Sequence, residues 1–137
     1  MQLVSATRLA TTDAIAAQAV TNADLVNNDA TVFNLTTAFQ QVAALNFTVA
    51  TAQSKVLIWT WGFIPNDGTG DTYEVRLLRG AVELKRFGPS ASGIYNFHEK
   101  ETPGAGTFTY AVEARNASGQ NRGQFKFSRL MLLETKR

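Results

Sequence analysis

The sequence contains no cysteine and only one histidine, and these scarcities exclude several kinds of site. Without cysteine there is no disulfide, no thiolate nucleophile and no cysteine-ligated metal. His98 is the only histidine, so few residues are available to form a catalytic triad or a histidine metal cluster. The chain also lacks a P-loop, a dinucleotide-binding glycine pattern and a nucleophile elbow. We therefore expect a protein that is not an enzyme and that needs no metal or cofactor.

Charge and long apolar runs are also scarce. Charged residues make up 18% of the 137-residue chain, and the net charge is +2. The cations interleave with acids, which is more typical of a solvated sheet face than of nucleic-acid binding. The longest apolar run, Val56 to Ile64, is far shorter than a membrane span, and the N-terminus has no secretory signal. We expect a soluble protein that binds no nucleic acid and inserts into no membrane.

Aromatic residues are absent from the first 30 positions, so the core is expected in residues 31–137 and an N-terminal arm or adaptor in residues 1–30. Thr12 or Asp13 is placed to cap a short helix from about residue 14 to 20. Apolar residues recur there every five positions, however, which fits neither a helix face nor a strand face. Such an extended or short-helical arm is either a frayed terminus or a segment that docks on a partner, and we predict docking through Leu9, Ile15, Val20 and Leu25.

The stretch TPGAGTFTYAVEARNASG, residues 102–119, predicts a strand with one dry face and one wet face between two turns. About eight such strands follow one another at intervals of about 8–12 residues, which is typical of an all-β sandwich or barrel. A jelly-roll-like β-sandwich is the first choice for residues 31–137. An immunoglobulin-like sandwich is the second choice.

Two predicted strands, residues 56–63 and 124–134, are apolar on both faces over much of their length. The first of them is either a central strand or a strand pressed against another subunit, and burial of both faces at a subunit interface also explains the second. In the second of these strands, a bulge near Ser128 is an alternative explanation, because it would shift the phase of the alternation. The predicted interface consists of Leu57, Trp59, Trp61, Phe63, Leu130, Met131, Leu132 and Leu133.

Trp59 and Trp61 are two residues apart and therefore share one face of a strand. If exposed, they would form a platform for stacking sugar rings, so they are also candidate glycan-binding residues. The apolar neighbours Leu57 and Phe63 lie on the same face and favour burial in a core or an interface instead.

Two acidic stretches are weaker candidates for metal or acid–base chemistry. Asn66, Asp67 and Asp71 in NDGTGD offer oxygen ligands for calcium, but the same residues suit a hairpin turn and the EF-hand pattern is incomplete. His98 and Glu99 in NFHEKE fall on opposite faces of a strand, which is more typical of a wet loop edge than of a metal site. We favour the turn for the first stretch and the loop edge for the second.

Three stretches together resemble proteins of tailed-phage virions. AIAAQAVTNADL resembles the stalk or adaptor segments of fibre and head-decoration proteins, ETPGAGTFTYAVEARNASG resembles a strand–turn pattern of small jelly-roll virion proteins, and LMLLETKR resembles their C-terminal strand. The resemblance implies a virion structural protein that decorates or cements a phage capsid as a homotrimer. Its arm would dock on the shell, with the major capsid protein as partner. The alternative is a fibre knob that binds a receptor or a host surface glycan.

Overall fold

The computed structural model describes residues 20–135, and this part of the chain contains nine β-strands and no helix. All pairings between the strands are antiparallel. No helix in this range is long and apolar enough to cross a membrane. The strands are β1 (Val20–Asn28), β2 (Phe33–Asn34), β3 (Gln40–Val49), β4 (Lys55–Ile64), β5 (Tyr73–Arg79), β6 (Val82–Ser90), β7 (Gly93–Glu101), β8 (Gly106–Asn116) and β9 (Gln124–Thr135).

The strands form two sheets that pack against each other around one core. The first sheet has the order β1-β9-β4-β7, and the short β2 also pairs with β9. The second sheet has the order β3-β8-β5-β6. The chain crosses repeatedly between the two sheets. The first and last of the described strands, β1 and β9, lie side by side. This is a jelly-roll-like arrangement, and it confirms the predicted all-β sandwich.

Strand β1 corrects the predicted domain boundary. The sequence predicts an arm over residues 1–30, but β1 pairs with β9 from Val20 to Asn28 and belongs to the first sheet. The boundary predicted at residue 30 is therefore wrong for residues 20–28. The predicted helix over residues 14–20 lies outside the described residues except for Val20, where β1 begins.

Side-chain amides fasten β1 to the second sheet. Asn22 Nδ2 donates a hydrogen bond to the Thr48 carbonyl at 2.9 Å, and Asn28 Nδ2 donates to the Val42 carbonyl at 2.9 Å. Both acceptors lie in β3, so β1 connects the two sheets along one side of the sandwich. These bonds are made to distant parts of the chain. They help to hold a strand that buries little apolar surface of its own.

Alternation along the strands separates the core from the surface. In β8, Tyr110, Val112 and Ala114 are buried, as predicted from the quoted stretch. Gly62 of β4 also faces the core, where a Cβ atom would lie 2.2 Å from the ring of Phe125. The largest fully buried aromatic side chains come from both sheets: Phe47, Tyr73, Tyr95, Tyr110 and Phe125.

The outward face of the second sheet carries paired charges around one aromatic ring. We call this surface the charged face, and it consists of Phe39, Glu74, Arg76, Glu83, Arg86, Glu113 and Arg115. Arg76 Nη2 lies 2.6 Å from Glu113 Oε2, and Arg115 Nε lies 2.5 Å from Glu74 Oε2. The Arg76 guanidinium also lies 3.9 Å from the centroid of the Phe39 ring. The cations and acids of this face are therefore satisfied within the chain.

Candidate interaction surface

The outward face of the first sheet is apolar across most of its width. The pairing register places Leu133 of β9 beside Leu57 of β4, and Met131 beside Trp59. Leu25 of β1 continues the second row, because it pairs with Met131. We call this surface the aromatic face, and it consists of Leu25, Leu57, Trp59, Trp61, Phe63, Ile94, Phe127, Met131 and Leu133.

The aromatic face exists because β4 is apolar at nearly every position. Successive side chains of a strand point to opposite sides, so Val56 and Ile58 enter the core while Leu57 and Trp59 point outward. An antiparallel sheet with a solvated outer face normally carries polar residues there. Here Trp59 is 49% exposed and Leu25 is 53% exposed. The sheet thus presents large apolar side chains to its surroundings.

The Trp59 ring is held in one orientation. Its Nε1 donates a hydrogen bond to Asn96 Oδ1 of β7 at 2.8 Å. The indole N–H is satisfied by this bond, and the apolar surface of the ring stays open. A fixed, half-exposed indole loses little conformational freedom when a partner covers it.

Trp61 is less open than Trp59, because a cation lies over its ring. The Arg129 guanidinium is 4.7 Å from the Trp61 ring centroid and forms an ion pair with Asp29. The hydrogen bond from Arg129 is the main cause that lowers the pKa of the Asp29 carboxyl. The charge of Arg129 is therefore neutralised where it borders the apolar surface.

A bulge in β9 adds Phe127 to the aromatic face. Trp61 pairs with Arg129 but Phe63 pairs with Lys126, so Gly62 alone of β4 opposes both Phe127 and Ser128 of β9. Phe127 has a φ of 54°, a region that residues other than glycine rarely adopt. Its ring points outward, with the centroid 6.5 Å from that of Phe63. This confirms the bulge that was one explanation for the phase change.

Two hollows flank Trp59 on the aromatic face. The larger lies towards β7, has a volume of about 740 Å³, and has Leu57, Met131 and Leu133 in its lining. The smaller lies towards β1, has a volume of about 210 Å³, and is bordered by Leu25. Trp59 therefore stands as a ridge between two depressions.

Polar side chains form the margin of the larger hollow. Lys85 reaches across from β6, with its Nζ 3.5 Å from Glu99 Oε2 and 3.4 Å from the His98 carbonyl. The backbone N–H of Lys100 donates to the Glu99 carboxylate and is the main cause that lowers the pKa of Glu99. The exposed side chain of Lys100 completes this margin.

The eight residues predicted to form a subunit interface divide between two environments. Six of them lie on the aromatic face: Leu57, Trp59, Trp61, Phe63, Met131 and Leu133. Leu130 and Leu132 are 0% exposed in the core, so the prediction is wrong for these two residues. The pleat of β9 alternates regularly after the bulge, and the uniform run LMLL conceals that alternation.

The four residues predicted to form a docking arm are also separated. Leu9 and Ile15 lie outside the described residues. Val20 is the first residue of β1, and Leu25 is in the middle of that strand, where it points outward onto the aromatic face. Leu25 therefore belongs to the surface of the sandwich and not to a separate arm.

The loop considered for calcium binding is built around an arginine. Arg122 donates to the two carboxylate oxygens of Asp71 at 2.6 and 2.8 Å, and Asn116 Nδ2 donates to Asp71 at 2.9 Å. The hydrogen bond from Arg122 is the largest cause that lowers the pKa of Asp71 to about 2. Asp67 accepts bonds from its own turn, at Thr69. Residues 20–135 hold no cluster of three metal-type side chains.

The residues of the other acidic stretch also have separate environments. His98 is exposed on the outward side of β7, where its backbone pairs with Trp59 of β4. Glu101 accepts a hydrogen bond of 2.5 Å from the Tyr110 hydroxyl and lies 3.5 Å from Arg79. No shared site brings these groups together in the described part of the chain.

Sequence reasoning missed two members of the aromatic face, Phe127 and Ile94. Phe127 is spaced two residues from the buried Phe125, which suggests the same side of the strand, but the bulge turns it outward. The signal that pointed to this change was the loss of alternation after Phe127. Ile94 is 70% exposed and pairs with Phe63, and no local pattern marks it as outward.

No model of a known protein family matches the chain, and no curated protein matches it in sequence. Among solved structures, the chain is similar to Bacillus endospore appendages, described as disulfide-linked pili, with a TM-score of 0.49, 9% identity, and coverage of 85% of this chain and 88% of that chain. It is similar to dimeric latent PorU from Porphyromonas gingivalis, with a TM-score of 0.50, 8% identity, and coverage of 88% of this chain and 13% of that chain. The chain is also similar to rabbit GITRL, with a TM-score of 0.44, 13% identity, and coverage of 70% of this chain and 75% of that chain. At such identities the likeness concerns the fold alone.

Proposed function

We propose that this chain is a non-enzymatic structural protein that assembles with copies of itself through the aromatic face. The observation that carries the proposal is the group of outward-pointing apolar side chains around Trp59, Met131 and Leu57 on a complete sheet. Monomeric proteins rarely leave a contiguous apolar surface of this kind uncovered, and such patches mark interaction sites. Burial of this surface would supply the free energy for assembly.

The dimensions of the aromatic face suit an interface between proteins. Four strands spaced about 4.8 Å apart, with four outward rows about 6.7 Å apart, give a flat area of about 500 Å². Projecting side chains enlarge the accessible area, and the polar margins extend it further. A standard interface buries about 800 Å² on each partner, so the whole outward face of this sheet, with its apolar centre and polar margins, approaches the size that an interface needs.

The composition of the face supports the same proposal. Interface centres are enriched in tryptophan, phenylalanine and methionine and are depleted of unpaired charge. The one cation in the middle of this face, Arg129, is neutralised by Asp29 and stacked on Trp61. Such a centre can be desolvated without leaving a charge unpaired.

We further propose that the assembly is a trimer and that its setting is a virion. This part rests on the sequence resemblance to tailed-phage decoration and fibre proteins. In that setting the protein would decorate or cement a capsid by binding the major capsid protein. Each bound copy would stabilise the shell by mass action.

Light scattering on the full chain tests self-association. The proposal predicts a mass that rises with concentration and approaches three times the monomer mass. A monomer at every concentration would contradict it. Virus particles made with and without the gene test the virion role, because particles without it should be less heat-stable and should recover when the purified chain is added. Unaltered particles would contradict that role.

A second candidate function, glycan binding by a fibre knob, is favoured by the open Trp59 ring beside the larger hollow. Aromatic rings that are fixed and exposed can stack on the apolar face of a sugar. The floor of that hollow is apolar, at Leu57, Met131 and Leu133, and its hydrogen-bonding groups stand only at the margin, which makes self-association the better proposal. Binding of monosaccharides, followed by the fluorescence of the tryptophans, would distinguish the two.

A further inference from the structure

The larger hollow on the aromatic face combines an apolar floor with a rim of charged groups. Its floor consists of Leu57, Met131 and Leu133, and the half-exposed Trp59 ring borders it. Its volume of about 740 Å³ falls within the range of about 300–1,000 Å³ that is typical of small-molecule pockets. Such pockets are mostly apolar and carry a few polar groups that orient the ligand. The hollow has both features.

The rim of this hollow carries two cations and one acid. Lys85 Nζ lies 3.5 Å from Glu99 Oε2, so these two charges offset each other. The Lys100 side chain is exposed and has no ion partner among residues 20–135. Lys100 and Leu57 pair in register, so their side chains stand on the same side of the sheet. The positive excess at the rim therefore belongs to Lys100.

The other polar groups beside the hollow are already bonded within the chain. The Glu99 carboxylate accepts the backbone N–H of Lys100 at 3.1 Å in addition to facing Lys85. The Trp59 indole N–H is donated to Asn96. The Lys100 ammonium group, in contrast, keeps its donors for a ligand. An anionic group at this rim would therefore find a cation, and a cationic group would be repelled.

We infer that the larger hollow binds an amphipathic anion, with its apolar chain on the floor at Leu57 and Met131 and its charged group at Lys100. The chemical class is a carboxylate on one unbranched, medium-length apolar chain. Burial of the chain supplies the free energy of binding, and the rim selects the sign of the charge. This site goes beyond the proposed self-association, because it is complete in one copy of the chain.

The probe is decanoate, kept below the concentration at which it forms micelles. Binding to the full chain is followed by tryptophan fluorescence at a protein concentration at which the chain is monomeric, since Trp59 borders the hollow. Decyltrimethylammonium has the same chain with the opposite charge, and butanoate has the same charge with a shorter chain. Decanoate should bind about tenfold more tightly than either one, or better. Absence of decanoate binding, or equal binding of the cationic surfactant, would overturn the inference.

Charge variants at the rim should have effects of opposite sign. Lys100→Gln removes the available cation and should weaken decanoate binding about fivefold. Glu99→Gln releases Lys85 and should strengthen binding about threefold, and the glutamine oxygen can still accept the Lys100 N–H. Lys126→Gln is the matched control, because Lys126 pairs with Phe63, about 20 Å along β4 from the floor of the hollow. Equal weakening by Lys100→Gln and Lys126→Gln would overturn the assigned site.

Leu57→Ser tests the apolar floor. The Leu57 side chain is 39% exposed, so its replacement should leave the sandwich folded, and thermal unfolding checks this. Decanoate binding should weaken about fivefold or more, because the chain loses part of the apolar surface on which it lies. Unchanged binding would place the ligand elsewhere on the protein and overturn the inference.

The outcomes distinguish this inference from the proposed self-association. A chain that stays monomeric at every concentration but binds decanoate with the predicted effects at Lys100 and Leu57 would overturn self-association and support the site. A chain that self-associates but does not bind decanoate as a monomer would overturn the site and leave self-association standing. If both hold, decanoate should weaken self-association, because the ligand and the second copy would cover the same Trp59 ring.

Discussion

On the second sheet, the arginines of the charged face each have a carboxylate partner, and the Phe39 ring lies beneath them. On the first sheet, the outward positions hold large apolar side chains, and Trp59 is fixed but uncovered. Both faces are made of equally regular antiparallel strands. The difference lies in whether the side chains find their partners within the chain.

This difference separates stability from assembly. The paired groups of the charged face contribute to folding, and their partners are already present in the monomer. The aromatic face contributes little to the monomer, because its outer surface gains only when another molecule removes it from water. Changes on one face should therefore alter unfolding, and changes on the other should alter association.

The largest effect is expected from Trp59→Ala on the aromatic face. Removal of a central aromatic anchor should weaken self-association roughly 100-fold, while the free energy of unfolding of the monomer changes little. Sedimentation velocity measures the first quantity and urea unfolding at low concentration measures the second. Val82→Ala is the matched control, since Val82 is an exposed apolar residue on β6. Equal weakening by both variants would remove the special role of the face.

The next effect is expected from Glu74→Gln on the charged face. Glu74 is buried and accepts hydrogen bonds from Arg115 and Arg86. Loss of its charge beside two cations should lower the free energy of unfolding by about 1–3 kcal/mol. Self-association should stay the same, and a change in the dissociation constant would show that the two faces are coupled. Glu83→Gln, at a more exposed position, should cost less.

Phe127→Gly should have effects of opposite sign on the two properties. Glycine adopts the positive φ of the bulge without strain, so the monomer should gain about 0.5–1 kcal/mol of stability. The face loses the ring beside Phe63, so association should weaken. Thermal unfolding and light scattering on one sample give both signs. A variant that is clearly less stable would show that Phe127 packs in the monomer.

The smallest effect concerns pH. Hydrogen bonding from Arg86 is the main cause that lowers the pKa of the Glu83 carboxyl below its ordinary value in the folded chain. This contribution to stability is present above the unfolded pKa and is lost as the pH falls through the lower folded pKa. Because Glu83 is partly exposed, the loss should be a few tenths of a kcal/mol. Urea unfolding at pH 7 and pH 3 should show a shallower pH dependence for Glu83→Gln than for the wild type, and identical slopes would contradict this assignment.

The fold was predictable where periodicity is clean. The alternation of Tyr110, Val112 and Ala114 identified a half-buried strand, and the two-sided apolar pattern of β4 identified a central strand with an apolar outer face. Turn residues marked the boundaries between these strands. These features depend on local spacing, which the sequence displays directly.

The rest depended on tertiary pairing. β1 reads as polar and irregular because it is held by its backbone to β9 and by Asn22 and Asn28 to β3, and not by an apolar stripe. The bulge redirects Phe127, and only the register against β4 shows by how much. Leu130 and Met131 look equivalent in the run LMLL, and the pleat alone decides which of them reaches the surface.

The most direct test uses the chain's own tryptophans, because both of them, Trp59 and Trp61, lie on the aromatic face. We would measure acrylamide quenching of their fluorescence as the concentration is raised through the self-association transition. Burial of the face predicts that quenching falls as the larger species forms. If the larger species forms while quenching stays at the monomer value, copies assemble through another surface and the central claim is wrong.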